Sequence, residues 1–167
     1  MNRVEILNEM RRAQADFHQI IRAASAQDLQ RRSDGTRWTN QQLLFHMVFG
    51  YIVVRTLMPL VHALGRLGHS SGFAATLNAG RRPFHLINYL GSCGGGQLLT
   101  PRAQAALLDR TIDALQRKLA TETDASLALS MHFPTAWDPY FTPVMSVLDV
   151  YHFATAHYDH HRRQLDR

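Results

Sequence analysis

The sequence predicts an all-α protein folded as a four-helix bundle. Apolar residues recur at the three- and four-residue spacing of an amphipathic helix in four long segments. Residues typical of helix N-caps precede three of these segments. No segment alternates apolar and polar residues convincingly, as a strand would. The 167 residues, 46% of them hydrophobic, are enough for one domain, residues 1–167, with a sizeable core.

The first two long helices are predicted from apolar spacing and from a cap. The first runs from about Arg3 to about Ala24, where apolar residues recur at helical spacing. The second follows Thr39, because Thr39 and Gln42 have the spacing of a capping box. Pro59 lies inside this second helix, so we expect a kink or an early end there.

An irregular insertion is predicted between the second and third long helices. The segment from Gly65 to Leu99 holds most of the glycines, including three in a row. Glycine is a poor helix former, so we expect only one or two short helices, around Phe84 to Leu90.

The last two long helices are predicted from a cap and from apolar spacing. Thr100 and Pro101 stand in the order of a cap and a first-turn proline, and the third helix continues to about Ala120. A link rich in aromatic residues and prolines leads to the fourth helix, from about Val144. Within it, Ser146 and Asp149 have capping-box spacing.

Charge and cysteine content argue against several classes of protein. The formal net charge is +5, but Lys118 is the only lysine and the arginines are scattered. No dense basic block and no motif that reads RNA or DNA accompanies this charge, so nucleic-acid binding is not expected. Cys93 is the only cysteine, so no intrachain disulfide can form and a reducing compartment is expected.

A membrane location is also not expected. The N-terminal residues are charged and lack the apolar core of a signal peptide. The most apolar stretch, residues 43–64, contains His46, Arg55 and His62, which would be costly in hydrocarbon. We therefore expect a helix buried in a bundle, and a cytoplasmic protein.

Three of the ten histidines are predicted to point inward. His157 and His161 stand four residues apart, so both project from one face of the last helix. His161 falls near the middle of its apolar face and His157 toward one edge, whereas His152 and His160 fall outside it. On the second helix, His46 lies within the apolar face.

Burying three imidazoles together costs several kcal/mol unless they find partners. One shared metal ion would supply a partner for all three. The alternative is that each is a core histidine that bonds to a tyrosine, a carboxylate or a backbone carbonyl. The inward placement of all three favours the metal.

Two strings of the sequence resemble motifs of the DinB-like superfamily. RWTNQQLLFHMVFGY is similar to the start of that family's second helix, and AHYDHHRRQL to its closing motif of two histidines, a short step and a glutamine. The resemblance implies a bundle with up-down-down-up connectivity, often dimeric, in which His46, His157 and His161 form the metal triad. Arg163 stands where many members carry glycine.

Three histidine ligands leave open positions on a divalent transition metal ion, which we expect to be zinc, nickel or iron. Such an ion lowers the pKa of a water molecule or of a thiol, and the catalytic group stays open between these two. The resemblance implies a small-molecule substrate, a homodimer and a low-molecular-weight-thiol S-transferase or isomerase. The alternatives are a metal-dependent hydrolase of a small amide or ester, and a non-catalytic, stress-related binding module.

Five further residues are candidates for the wall of a substrate pocket. Trp38 and Trp137 are large aromatic residues near helix junctions, and three polar or aromatic residues of the insertion, His85, Asn88 and Tyr89, are placed to line its mouth. The competing interpretation for each is ordinary packing. Asp149 and Asp159 lie near the histidines in sequence, but their helical angles point away from the core.

Overall fold

Four helices form the bundle, and the remaining helices and strands connect them. The computed structural model describes residues 1–165. The helices are α1 (Arg3–Ala23), α2 (Ala26–Gln30), α3 (Asn40–Leu67), α4 (Ser71–Ala79), α5 (Arg81–Leu98), α6 (Pro101–Thr121), α7 (Asp124–Leu127) and α8 (Val147–Arg162), and the strands are β1 (Ser130–His132) and β2 (Val144–Ser146). The prediction of an all-α four-helix bundle is confirmed, with α1, α3, α6 and α8 as the long helices.

Side-chain caps begin the long helices. Thr39 accepts a hydrogen bond from the Gln42 backbone N–H and starts α3, as its capping-box spacing predicts. Thr100 caps α6 with Pro101 in its first turn. Ser146 forms a capping box with the third helical residue of α8. That helix therefore begins at Val147, three residues later than predicted, because β2 occupies residues 144–146.

Pairs of contacts give the directions of the four long helices. Arg3, in the first turn of α1, donates to the carbonyl of Glu122, which follows the end of α6. Helices α1 and α6 are therefore antiparallel. Asp16, in the second half of α1, accepts from Arg162 at the end of α8, so these two helices run in the same direction. Helix α3 opposes α8, because the beginning of α3 meets the end of α8 at the histidines described below. The connectivity is thus up-down-down-up.

The segment between α3 and α6 is helical rather than irregular, so the predicted insertion is wrong in this respect. Helix α3 continues past Pro59 to Leu67. Because α3 and α6 run in the same direction, the chain must return along the bundle between them. Helices α4 and α5 make this return, and α5 packs along α3. We call α4 and α5 together the return segment.

The glycines of α5 allow its close approach to α3. A Cβ atom at Gly96 would lie 2.6 Å from the Cα atom of Gln42, and one at Gly95 would overlap the ring of Phe45. Sequence reasoning took the glycine run as a sign of irregular chain. Packing of α5 against α3 offsets the low helix propensity of these residues.

Helix α3 is the longest element that the structure describes, and it is largely apolar. By length and composition alone it is long enough to cross a membrane, and 56% of its most apolar window is buried inside the protein. Its buried residues pack between α6 and α8, where they join one core with the buried faces of the other long helices. A core helix of a bundle has this pattern.

Candidate metal centre

Three histidine side chains meet between the start of α3 and the end of α8. His46 comes from α3, and His157 and His161 come from successive turns of α8. The Nε2 atoms of His46 and His161 lie 3.0 Å apart. One nitrogen from each of the three residues lies within 4.8 Å of the others, so the group could hold a metal ion.

A glycine on α3 makes room for the middle histidine. Gly50 is one helical turn after His46 and lies against the His157 ring. A Cβ atom at this position would stand 2.6 Å from Cδ2 and 3.2 Å from Nε2 of His157. The ring can therefore occupy its place only because residue 50 lacks a side chain.

Each of the three histidines uses its Nδ1 atom for a hydrogen bond. His157 Nδ1 lies 3.0 Å from the carboxylate of Asp138, and His161 Nδ1 lies 2.6 Å from the Gln164 amide oxygen. An ionised carboxylate and an amide oxygen can only accept, so Nδ1 is the donor in both pairs. In its neutral form each ring therefore carries its proton on Nδ1 and its lone pair on Nε2.

The third histidine is fixed in the same form by a chain of two hydrogen bonds. Ser92 Oγ, on α5, donates to the carbonyl oxygen of Asn88 at 2.8 Å. Its single proton is then used, so it accepts from His46 Nδ1 at 3.0 Å. His46 also presents the lone pair of Nε2.

These hydrogen bonds leave each neutral ring with one nitrogen, Nε2, that can only accept. None of the three Nε2 atoms can therefore donate to another. Within residues 1–165, His157 Nε2 is buried and has no hydrogen-bond partner. Two lone pairs face each other across the 3.0 Å gap between His46 and His161, which is unfavourable unless a cation or an extra proton lies between them. The three neutral imidazoles fit a divalent transition metal ion, which would satisfy all three nitrogens at once.

Burial keeps two of these imidazoles uncharged. Removal from water lowers the pKa of His46 well below its usual value, and the nearby His157 and His161 lower it further. Burial and the neighbouring His157 also lower the pKa of His161, to about 3. Neutral imidazole is the form that binds metal, so both rings are ready as ligands at neutral pH.

The Asp138 carboxylate is ionised beside this group. Burial by itself would raise its pKa, but the hydrogen bond from His157 and the attraction to that ring lower it below its usual value. The backbone N–H of Tyr140 donates to the other carboxylate oxygen at 2.8 Å. Asp138 therefore brings one negative charge next to the three histidine rings.

Two of the predicted pocket residues lie beside the histidines. The Trp38 ring stacks on the His46 ring, with the centroids 4.4 Å apart, and stands edge-on to His161 at 6.2 Å. The Tyr89 ring stacks on the Trp38 ring, with the centroids 6.0 Å apart. These aromatic rings form one wall next to the three nitrogens.

The other three predicted pocket residues have different surroundings. Asn88 reaches the group through its backbone carbonyl, which accepts from Ser92. The His85 ring packs near Phe84, and Trp137 stacks on the same phenylalanine with centroids 3.9 Å apart. A substrate-lining role for all five pocket residues stays a prediction.

His152 and two aspartates near the group in sequence face elsewhere, in agreement with their helical angles, whereas His160 contacts the group. His152 pairs with Glu9, and Asp159 pairs with Arg12. Asp149 caps α8. His160 packs against the edge of His161, with ring centroids 4.8 Å apart.

A surface pocket of about 690 Å³ lies on the other side of α8, against α1. Its lining includes Arg12 and Arg162, which are already paired with Asp159 and Asp16 at 2.7 and 2.8 Å. It contains none of the three clustered histidines. We therefore place the candidate chemistry at the histidines.

Sequence reasoning missed the three residues that orient the histidines. Ser92 and Asp138 are far from their partners in the chain, and no spacing rule connects them. Gln164 carries a weak signal, because it follows His161 by three residues within the closing motif.

Comparisons with known proteins identify a family. A model of the DinB superfamily matches residues 9–165, which is nearly the whole chain. Comparison with curated proteins and with solved structures gives no significant match.

Proposed function

Because this chain belongs to the DinB superfamily and brings together three histidines that could hold a metal ion, we propose that it is a metal-dependent enzyme. The proposed reaction is the transfer or isomerisation of a small molecule with the help of a low-molecular-weight thiol. The proposed cofactor is one divalent ion of zinc, nickel or iron, the metals that imidazole ligands suit.

One observation carries this proposal. All three Nδ1 atoms are occupied by hydrogen bonds, the Nε2 atoms of His46 and His161 lie 3.0 Å apart, and one nitrogen of each histidine lies within 4.8 Å of the others. A set of ordinary core histidines would use both ring nitrogens in hydrogen bonds, because each buried polar atom needs a partner. Here the other nitrogen of each ring keeps its lone pair, and a metal ion could accept all three lone pairs.

The charge of the ligand set favours deprotonation of a bound substrate. An ion held by three neutral nitrogens keeps its double positive charge and lowers the pKa of a thiol or a water molecule at a free position. His46, His157 and His161 would hold the ion, and Asp138 provides one negative charge nearby. Trp38 covers one side and limits the access of solvent.

Thiol dependence can be tested directly. Untagged protein is loaded with zinc, nickel or iron and mixed with an aryl chloride electrophile and a panel of thiols of the mycothiol, bacillithiol and glutathione types. We expect chloride release that requires both metal and one class of thiol, as the thiol sulfur replaces chloride on carbon. The H157A variant should lose this activity, whereas H152A, which removes a histidine of the same helix that faces Glu9, should keep it.

Each other result counts against the thiol reaction. Metal-dependent cleavage of small esters or amides without any thiol would replace it with the hydrolase alternative. A wild-type protein that turns over no substrate in either panel, while fully loaded with metal, would favour the non-catalytic binding module. Equal activity of H157A and wild type would contradict a role for the histidine cluster.

A further inference from the structure

The partner of His157 lies on a loop that the return segment holds in place. Residues 133–143, which we call the strap, connect β1 to β2. Asp138 lies in the middle of the strap, with a side chain only 14% exposed. Its two carboxylate oxygens have different partners, His157 on one side and the Tyr140 backbone N–H on the other. The carboxylate is therefore fixed in direction as well as in position.

The residues next to Asp138 fasten the strap to α4 and α5. The Trp137 ring lies parallel to the Phe84 ring within 11°, at a centroid distance of 3.9 Å. The Trp137 indole N–H donates to the Leu77 carbonyl at 2.7 Å, and the Ala136 backbone N–H donates to the Asn78 side chain at 3.0 Å. Three contacts thus hold the strap against the return segment immediately before Asp138.

Asp138 differs in charge from the other two residues that orient the cluster. Ser92 and Gln164 are neutral acceptors, whereas Asp138 is a carboxylate. A carboxylate that accepts from one nitrogen of an imidazole fixes the tautomer and makes the other nitrogen a stronger donor to metal. The effect is largest where water is excluded, and His157 is only 7% exposed.

We infer that Asp138, held by the contacts of the strap with α4 and α5, is a positioning residue that orients His157 and sets the affinity of the histidine cluster for a divalent metal ion. This inference rests on the proposed metal-dependent function. The return segment then has a role at the site. Helix α5 supplies Ser92, which contacts His46, and Phe84, which packs against Trp137 beside Asp138.

The affinity for zinc tests this inference without any measurement of activity. Competition with a chromophoric chelator gives the dissociation constant of each variant. We expect D138A to bind zinc about 10- to 100-fold more weakly than wild type, the usual loss when such a partner is removed. D138N keeps an acceptor but not the charge, so it should fall between the two.

Two further variants separate positioning from general effects. D159N makes the same change of charge on the partner of Arg12, away from the cluster, and should bind zinc within about twofold of wild type. F84A removes the ring under Trp137 without touching a histidine, and should weaken zinc binding severalfold. Zinc affinities of D138A and wild type within twofold of each other would overturn the inference.

The metal-free protein provides a second measurement. Nitrogen-15 spectra of the imidazole rings report which nitrogen of His157 carries the proton. We expect the proton of His157 on Nδ1 in wild type and in D138N. In D138A we expect a mixture of the two tautomers, with an unchanged unfolding temperature. If wild type binds no zinc, the proposed function fails, and so does the role of Asp138 in metal affinity. The spectrum of the metal-free protein still decides whether Asp138 orients His157. An unchanged spectrum in D138A would overturn that role.

Discussion

The Nε2 atoms of His46 and His161 lie 3.0 Å apart, and the proton of each ring is on the opposite nitrogen. The short distance therefore joins two acceptors rather than a donor and an acceptor. Such a contact is stable only with a shared positive charge between the atoms. In a helical bundle of otherwise ordinary packing, this pair of acceptors is the feature that favours a bound cation.

Gly50→Ala should displace His157. The new methyl carbon would stand 2.6 Å from Cδ2 of the ring, so the ring must move away from His46. We expect zinc to bind at least about tenfold more weakly, as when a residue that orients a ligand is lost. Chelator competition measures this. Gly91→Ala is the matched control, because a Cβ atom there meets nothing within 4 Å. Unchanged affinity in G50A would show that the ring position is not critical.

Gly96→Ala and Gly94→Ala should change stability in opposite directions. A methyl group at position 96 would press on the Gln42 backbone of α3, whereas at position 94 it meets nothing within 4 Å. Overpacking should cost G96A about 1–3 kcal/mol. The better helix propensity of alanine should stabilise G94A by up to about 1 kcal/mol. Urea denaturation measures both, and a stabilised G96A would contradict the close packing of α5 on α3.

Glu122→Gln should flatten the loss of stability in acid. Burial tends to raise the pKa of this carboxyl group, but a hydrogen bond from Ser126 and the nearby Lys118 and His62 side chains bring it below the ordinary value of 4.5. A lowered pKa in the folded state means that the carboxylate stabilises the protein fully above about pH 4.5. That contribution disappears as the pH falls through the folded-state pKa.

The E122Q variant should therefore be about 2 kcal/mol less stable at pH 7, the usual value for hydrogen bonds to a charged group. Its stability should fall less steeply than that of wild type as the pH decreases below about 4.5. Urea denaturation over this range makes the comparison, with D113N, at an exposed position of α6, as the control. Parallel curves for E122Q and wild type would contradict the role of the carboxylate.

Sequence reasoning predicted the frame of the molecule and the three clustered histidines. Local signals were enough for these features, because each signal lies within a single helix. The cap at Thr39 belongs to α3, and the spacing of His157 and His161 belongs to α8. It failed for the return segment, where packing of Gly95 and Gly96 against α3 outweighs their low helix propensity. It could not find Ser92 or Asp138 either, since 46 and 19 residues separate them from their partners.

The metal content of the untagged protein tests the central claim most directly. Elemental analysis of wild type, H46A and H152A, purified side by side without chelators, gives the transition metal bound per chain. Three converging nitrogens predict about one ion per chain in wild type and in H152A, and less than about a tenth of that in H46A. A wild-type protein without metal, or an H46A variant that retains the full amount, would contradict the metal centre proposed at His46, His157 and His161.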